Sequence, residues 1–247
     1  MMNRINFKHI NHKPNIANTI IFLHEGLGCI ETWKDYPEQL CEVVGMKGLV
    51  YDRPGYGKSH GDLSDRSNEY LIEAAHDLHQ FITNLKLDNI ILYGHSDGAS
   101  IALAYGAIYP KTIKAIISEA AHVIVEEMTL KGIQTAIKAF NDGKLDGLQK
   151  YHGNKYSSVF SAWAETWLRP DFNLKTLRNL LTKIKAPSLI IQGDKDQYGS
   201  KKQVDILENE ISKSVSKYIL NCGHTPFLDQ NKDVLKISSE YLNELFK

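Results

Sequence analysis

Gly94-His95-Ser96-Asp97-Gly98 decides the reading of this chain. It follows the apolar run Asn89-Ile90-Ile91-Leu92-Tyr93 and opens a helix-like stretch from Ala99 to Tyr109. A strand that passes into a helix through Gly-x-Ser-x-Gly must turn sharply at the serine. Gly94 and Gly98 permit that turn, because neither carries a Cβ to collide with its neighbours. The turn predicts a Ser96 hydroxyl exposed at the sheet edge, with the N-terminus of the next helix beneath it. Unpaired N–H groups and a positive dipole end there favour a developing negative charge. The pentapeptide alone also fits an ordinary Gly/Ser turn, so its weight comes from what lies on either side.

Downstream, Ser188-Leu189-Ile190-Ile191-Gln192 reads as a buried strand that runs into Gly193-Asp194-Lys195-Asp196. Lys217-Tyr218-Ile219-Leu220 reads as another, running into Asn221-Cys222-Gly223-His224. An acid and then a histidine therefore stand just past the C-terminal ends of two strands, the edge at which open parallel sheets bind ligands. A histidine so placed takes the serine proton and returns it to a leaving group, while an acid fixes its tautomer. Asp194 and Asp196 compete for that second role. Upstream, the β-branched run Thr19-Ile20-Ile21-Phe22-Leu23 ends in the Gly-rich loop His24-Glu25-Gly26-Leu27-Gly28. A third loop, Tyr51-Asp52-Arg53-Pro54-Gly55-Tyr56-Gly57-Lys58-Ser59, follows the short strand Gly48-Leu49-Val50. Its tail invites a phosphate-loop reading. That reading fails, because a Walker A motif needs a Gly six residues before the Lys, where this chain has Asp52.

In order and spacing these motifs resemble those of α/β-hydrolase-fold serine hydrolases, from about Thr19 to Phe246. The resemblance implies an α/β fold with a mostly parallel central sheet flanked by helices, and an esterase-like enzyme. It implies Ser96 as nucleophile, His224 as base and Asp196, three residues after Gly193, as orienting acid. Asp194 stays as a rival for the acid, and Glu119 is a second one, since some relatives carry the acid after the preceding strand. The oxyanion hole is expected from the N–H groups of Asp97 and Gly26. Glu25 is a departure here, because the family's loop usually reads His-Gly-x. The expected substrate is a small carboxylic ester or related acyl compound, with no metal and no cofactor. The same triad serves carbon–carbon bond, lactone and amide hydrolysis, and a non-catalytic ligand-binding member of the fold is a further alternative. Some relatives that cleave amino-acid esters also carry Ser-Asp-Gly, so the Asp97 carboxylate is weighed as a partner for a substrate amine. Its plainer role is to complement a helix N-terminus.

The residues 119–184 break the alternation of strand and helix. They hold helical patterns around Val125–Phe140, Leu145–Tyr151, Ser157–Trp167 and Leu174–Ile184, and two of the three tryptophans, Trp163 and Trp167. So long an excursion is too large for a simple connection. The resemblance makes it a helical cap over a core formed by 1–118 and 185–247. Glu25, His122, Tyr156 and Trp163 are the candidate substrate contacts, with packing of the cap onto the body as the competing role for the two aromatics. Elsewhere, Arg4 to Ile10 reads as a leading strand, His12 to Asn18 as a turn, and Ile30 to Val44 and Asn68 to Leu85 as helices. His76 and His79 share a helix face, but they lack companions at ligand spacing.

Composition narrows the class. Of 247 residues, 43% are hydrophobic, and Lys+Arg and Asp+Glu both total 29. Zero net charge leaves no electrostatic footprint for nucleic acid or for an anionic membrane. The start, Met1 to Phe7, lacks the apolar core of a signal peptide, and no run approaches a membrane span. Cys29, Cys41 and Cys222 form neither a disulfide framework nor a zinc site. A cytoplasmic enzyme acting on a small molecule is expected, and the sequence gives no oligomeric state.

Overall fold

Short runs of Ile, Leu and Phe with no polar alternation fit strands covered on both faces. The computed structural model, which describes residues 4–10 and 17–247, builds the sheet from them. In chain order the elements are β1 (Phe7–Ile10), β2 (Thr19–Leu23), a 3₁₀ turn (Ile30–Trp33), α1 (Tyr36–Val44), β3 (Lys47–Tyr51) and α2 (Tyr70–Asn84). Then come β4 (Ile90–His95), α3 (Asp97–Ile108), β5 (Ile113–Glu119), α4 (Glu127–Asn141), α5 (Leu148–His152), α6 (Tyr156–Leu168) and α7 (Lys175–Leu180). β6 (Ser188–Gly193), α8 (Lys201–Glu210), β7 (Ser214–Ile219), α9 (Pro226–Asp229) and α10 (Asn231–Leu245) complete the chain.

The sheet runs β1-β3-β2-β4-β5-β6-β7. β1 pairs antiparallel with β3, and every other pairing is parallel. Every residue of β2, β4 and β6 is buried, as expected for a sheet with helices on both faces. One apolar layer packs α2, α3 and α8 on one side, and α1 and α10 cover the other. Small residues set how close α3 comes: a Cβ on Gly106 would lie 2.6 Å from Ile116 Cδ1. The helices α4 to α7 fill the connection from β5 to β6. Among the described residues no helix is long and apolar enough to cross a membrane.

Three expectations about elements need correction or limits. The helix expected over Ile30 to Val44 is split, because Lys34 takes φ 56° and ends the 3₁₀ turn before α1 begins. The strand expected at Lys217–Leu220 starts three residues earlier, at Ser214, and stops at Ile219. Most of the turn expected over His12 to Asn18 lies outside the described residues.

Candidate active site

The C-terminal ends of β2, β4, β5, β6 and β7 converge on one edge of the sheet. β4 hands over to α3 at Ser96, whose φ of 53° and ψ of −118° are the strained turn that the glycines predict. A Cβ on Gly94 would meet the Gly98 carbonyl oxygen at 2.2 Å, and one on Gly98 would meet the Leu23 carbonyl oxygen at 2.0 Å. Both obstacles are backbone, so neither glycine tolerates a side chain.

Ser96, His224 and Asp196 meet at this edge. The Ser96 hydroxyl lies 2.9 Å from His224 Nε2, and His224 Nδ1 lies 2.8 Å from Asp196 Oδ2. Nδ1–H donates to the carboxylate, which leaves Nε2 as the acceptor for the serine proton. Asp196 also accepts from Gln192 Nε2 at 2.6 Å and from the Tyr198 N–H at 2.7 Å. Burial by itself would raise this carboxyl, but the neighbouring His224 and the Tyr198 N–H hold it down at about 2. The rival acids are occupied elsewhere. Asp194 is exposed and accepts the Cys222 N–H at 3.1 Å. The Glu119 carboxylate takes the Tyr93 hydroxyl and the Phe227 N–H.

The loop after β2 is pinned by His24. Its Nδ1–H donates to the Glu25 carbonyl at 2.8 Å, and its Nε2 accepts the Arg53 N–H at 3.0 Å. Burial, then the Arg53 charge, keeps this ring neutral, with a pKa well below the usual histidine range. The Glu25 side chain folds back onto the Leu27 N–H. Gly26 faces the elbow: a Cβ there would lie 2.4 Å from Trp163 Cδ1 and 3.2 Å from Asp97 Oδ2. Asp97 is the first residue of α3, so its N–H has no partner within the helix.

A pocket of about 80 Å³ opens over Ser96 and is walled by Glu25, Asp97, His122, Trp163 and Tyr198, among others. His122 Nε2–H donates to the Tyr198 carbonyl at 3.1 Å, and burial lowers its pKa. Trp163 lines the pocket and also stacks its edge against Phe160, with centroids 5.8 Å apart. Tyr156, expected beside it, is not among the lining residues and packs on Phe140 at 5.9 Å. Tyr156 shares the α6 face with Trp163 but stands seven residues away, about 10 Å along the axis. Of the two aromatics, Trp163 lines the pocket while Tyr156 takes the competing role of packing within the cap.

Two residues of the site escape the sequence reading. Tyr198 puts its ring 4.8 Å from that of His224, and its place two residues after Asp196 was the available signal. Arg53, only 3% exposed, donates to the Glu25 carbonyl at 2.8 Å and lies 3.8 Å from Asp97 Oδ2, with its guanidinium 4.4 Å from the Tyr56 ring centre. It lies in the third loop, whose Pro and Gly residues give no signal of which side chain faces the site.

Comparison with known proteins agrees with this fold. The chain is 25% identical to the human serine hydrolase BPHL, over 78% of this chain and 68% of that protein. It is 25% identical to a proline iminopeptidase of Lactobacillus delbrueckii, over 90% of this chain and 89% of that one. An enol-lactonase from Burkholderia xenovorans has the same fold, with a TM-score of 0.76 at 14% identity over 97% of this chain and 96% of that chain. Residues 18–181 match the model of the alpha/beta hydrolase fold, and the chain is a hydrolase belonging to that family.

Proposed function

We propose that the chain is a serine hydrolase that cleaves a small carboxylic ester or related acyl substrate through an acyl-enzyme on Ser96. The observation that carries this reading is the hydrogen-bonded line from Ser96 Oγ through His224 to Asp196, at 2.9 and 2.8 Å. His224 takes the serine proton as Oγ attacks the carbonyl carbon, and gives it to the leaving alcohol as the tetrahedral intermediate collapses. A water then repeats the cycle on the acyl-enzyme. The Asp97 and Gly26 N–H groups are the proposed oxyanion donors. Leu27, the alternative in the same loop, already gives its N–H to Glu25. Removing one such donor typically costs about 3–4 kcal/mol of barrier. The helices of 119–184 act as a cap that walls the pocket and limits acyl size. Three buried free thiols, Cys29, Cys41 and Cys222, suit a reducing, cytoplasmic setting.

A fluorophosphonate probe, applied to the wild-type protein and to Ser96→Ala alongside p-nitrophenyl ester assays, tests this reading. Labelling mapped to Ser96, with turnover lost in the variant, is the expected result. A folded wild-type protein that neither labels nor turns over points instead to a ligand-binding member of the fold.

One observation favours an amine-bearing acyl group. Asp97 Oδ2 is buried on the pocket wall and, among the described residues, has no hydrogen-bond partner. The Arg53 guanidinium, 3.8 Å away, offsets part of its charge but leaves the hydrogen-bond site of this oxygen open; a substrate ammonium would fill it, with the Glu25 carboxyl on the same wall. Asp97→Asn keeps the backbone N–H and removes the charge. Its kcat/KM is expected to fall about 10- to 100-fold on aminoacyl esters, the worth of a charged hydrogen bond, and to change little on neutral esters of equal size. An equal fall on both removes the amine reading and leaves the esterase reading intact.

A further inference from the structure

Glu119 ends β5, and in the β4–β5 register it pairs with His95, the residue before the nucleophile. Its backbone carbonyl accepts the Ser96 N–H at 2.8 Å. Its side chain has no solvent exposure. Oε1 accepts the Phe227 N–H at 2.8 Å, and Oε2 accepts the Tyr93 hydroxyl at 2.5 Å. Tyr93 in turn lies 3.0 Å from the Tyr36 hydroxyl. Phe227 is the second residue of α9 and comes three residues after His224. One residue thus holds the nucleophile by its backbone and the segment carrying the base by its side chain. His95 grips the other end of that segment, with Nε2–H donating to the His224 carbonyl at 2.7 Å. The next residue, Ala120, is held at φ 54°, a left-handed conformation that disfavours alanine, with its N–H bonded to the Ile191 carbonyl at 2.9 Å. Backbone strain of this kind persists only where the surroundings over-determine it.

We propose that Glu119 is a positioning residue for the reaction, tethering the Phe227 N–H to the strand end that holds Ser96 and so setting the approach of His224 to the Ser96 hydroxyl. The proposal rests on the serine hydrolase reading given above. A buried carboxyl is a costly way to fill an apolar space. Burial pushes this one up to about 7, against the hydrogen bonds from Tyr93 and Phe227. A methionine of similar volume would fill the same space but leave the Phe227 N–H without an acceptor. A base displaced by about 1 Å costs up to about 100-fold in rate.

Three variants separate reach from charge: Glu119→Gln, Glu119→Met and Glu119→Asp. Gln keeps an oxygen for Phe227, and its amide donates to Tyr93 if the Tyr93–Tyr36 hydrogen bond reverses. Asp keeps the charge but is one methylene too short. Per folded molecule, Gln is expected to keep kcat and the second-order rate of Ser96 phosphonylation within about 3-fold of wild type. Met and Asp are expected to lose about 10- to 100-fold in both, with KM nearly unchanged. Wild-type labelling rates in Met or Asp overturn the proposal, as does a Gln variant impaired as much as Met. Failure of both Met and Asp to fold assigns Glu119 to stability alone and overturns it too. A wild-type protein that the fluorophosphonate does not label defeats the hydrolase reading itself. Labelled wild type with unaffected variants defeats only the role of Glu119.

Discussion

Asp196 shows how much of a site one residue's position fixes. It stands three residues past the glycine that ends β6, is 6% exposed, and gives one carboxylate oxygen to His224 and the other to the Tyr198 N–H. Asp194, two residues earlier, is spent on the Cys222 N–H. Asp196→Asn would keep the shape, but with its amide oxygen on the Tyr198 N–H its NH2 faces His224 in place of the acceptor that holds the Nδ1–H form. A histidine in the other tautomer presents a proton to Ser96 instead of a lone pair. The expected loss in kcat is about 10³- to 10⁴-fold, the scale of that exchange in serine proteases, and Asp194→Asn should cost far less. Steady-state ester hydrolysis on the two variants checks this, and a reversed order reassigns the acid. Ser96 and Asp196 were readable as candidates because each closely follows a strand with a clear apolar run, and His224 because Gly223-His224 follows the short run at Ile219-Leu220. Arg53 and Tyr198 were not, because an arginine among turn residues and a tyrosine in a loop look the same whether they face solvent or a pocket.

At the scale of elements, the sequence read well wherever burial wrote a pattern. Thr19–Leu23 and the strands and helix around Ser96 are buried along their length, and their apolar runs say so. β7 is an edge strand with alternating exposure, so Ser214, Val215 and Ser216 carried no core signal. The break at Lys34 was legible in principle: Pro37 sits at the second position of α1, where a proline is tolerated only near a helix start. Depth along a helix is what spacing cannot supply, and it separates Tyr156 from Trp163. Trp163 packs closely on Gly26 and lines the pocket over Ser96, and on the proposed ester hydrolase reading its indole would limit the acyl chain. Trp163→Leu is expected to raise kcat/KM for a p-nitrophenyl hexanoate relative to the acetate by about 10-fold, the worth of one or two methylenes admitted to an apolar pocket. An unchanged ratio would place the acyl group on another wall. The same comparison with Tyr156→Leu should show no change.

Over the whole molecule, the buried titrating groups pull stability in opposite directions with pH. Burial lowers His24, His95 and His122, His95 to about 3, so these rings fold neutral and must take up protons on unfolding in acid. Their contribution is complete above the unfolded histidine value of about 6.5 and is lost as pH falls. Asp196, held at about 2, acts in the same sense at lower pH: its contribution is present above about 3.8 and is lost through about 2. Glu119 is opposite. Its folded carboxyl is raised from 4.5 to about 7, so its contribution is complete below 4.5 and is lost as pH rises through 7. The groups around it are Tyr93 and His95 from β4, Tyr36 from α1, His224, and Asp229 from α9, and of these the Asp229 charge adds to the rise. A shift of that size corresponds to about 3 kcal/mol across the window. Glu119→Gln removes the titration and leaves the histidines and Asp196 in place. The stability of the variant relative to wild type is therefore expected to climb by up to about 3 kcal/mol between pH 4.5 and 8. Urea unfolding of both proteins at intervals across that range measures the difference directly. A difference that stays constant with pH means that the Glu119 carboxyl ionises alike in the folded and unfolded chains, so that its hydrogen bonds from Tyr93 and Phe227 fully offset the cost of burying its charge.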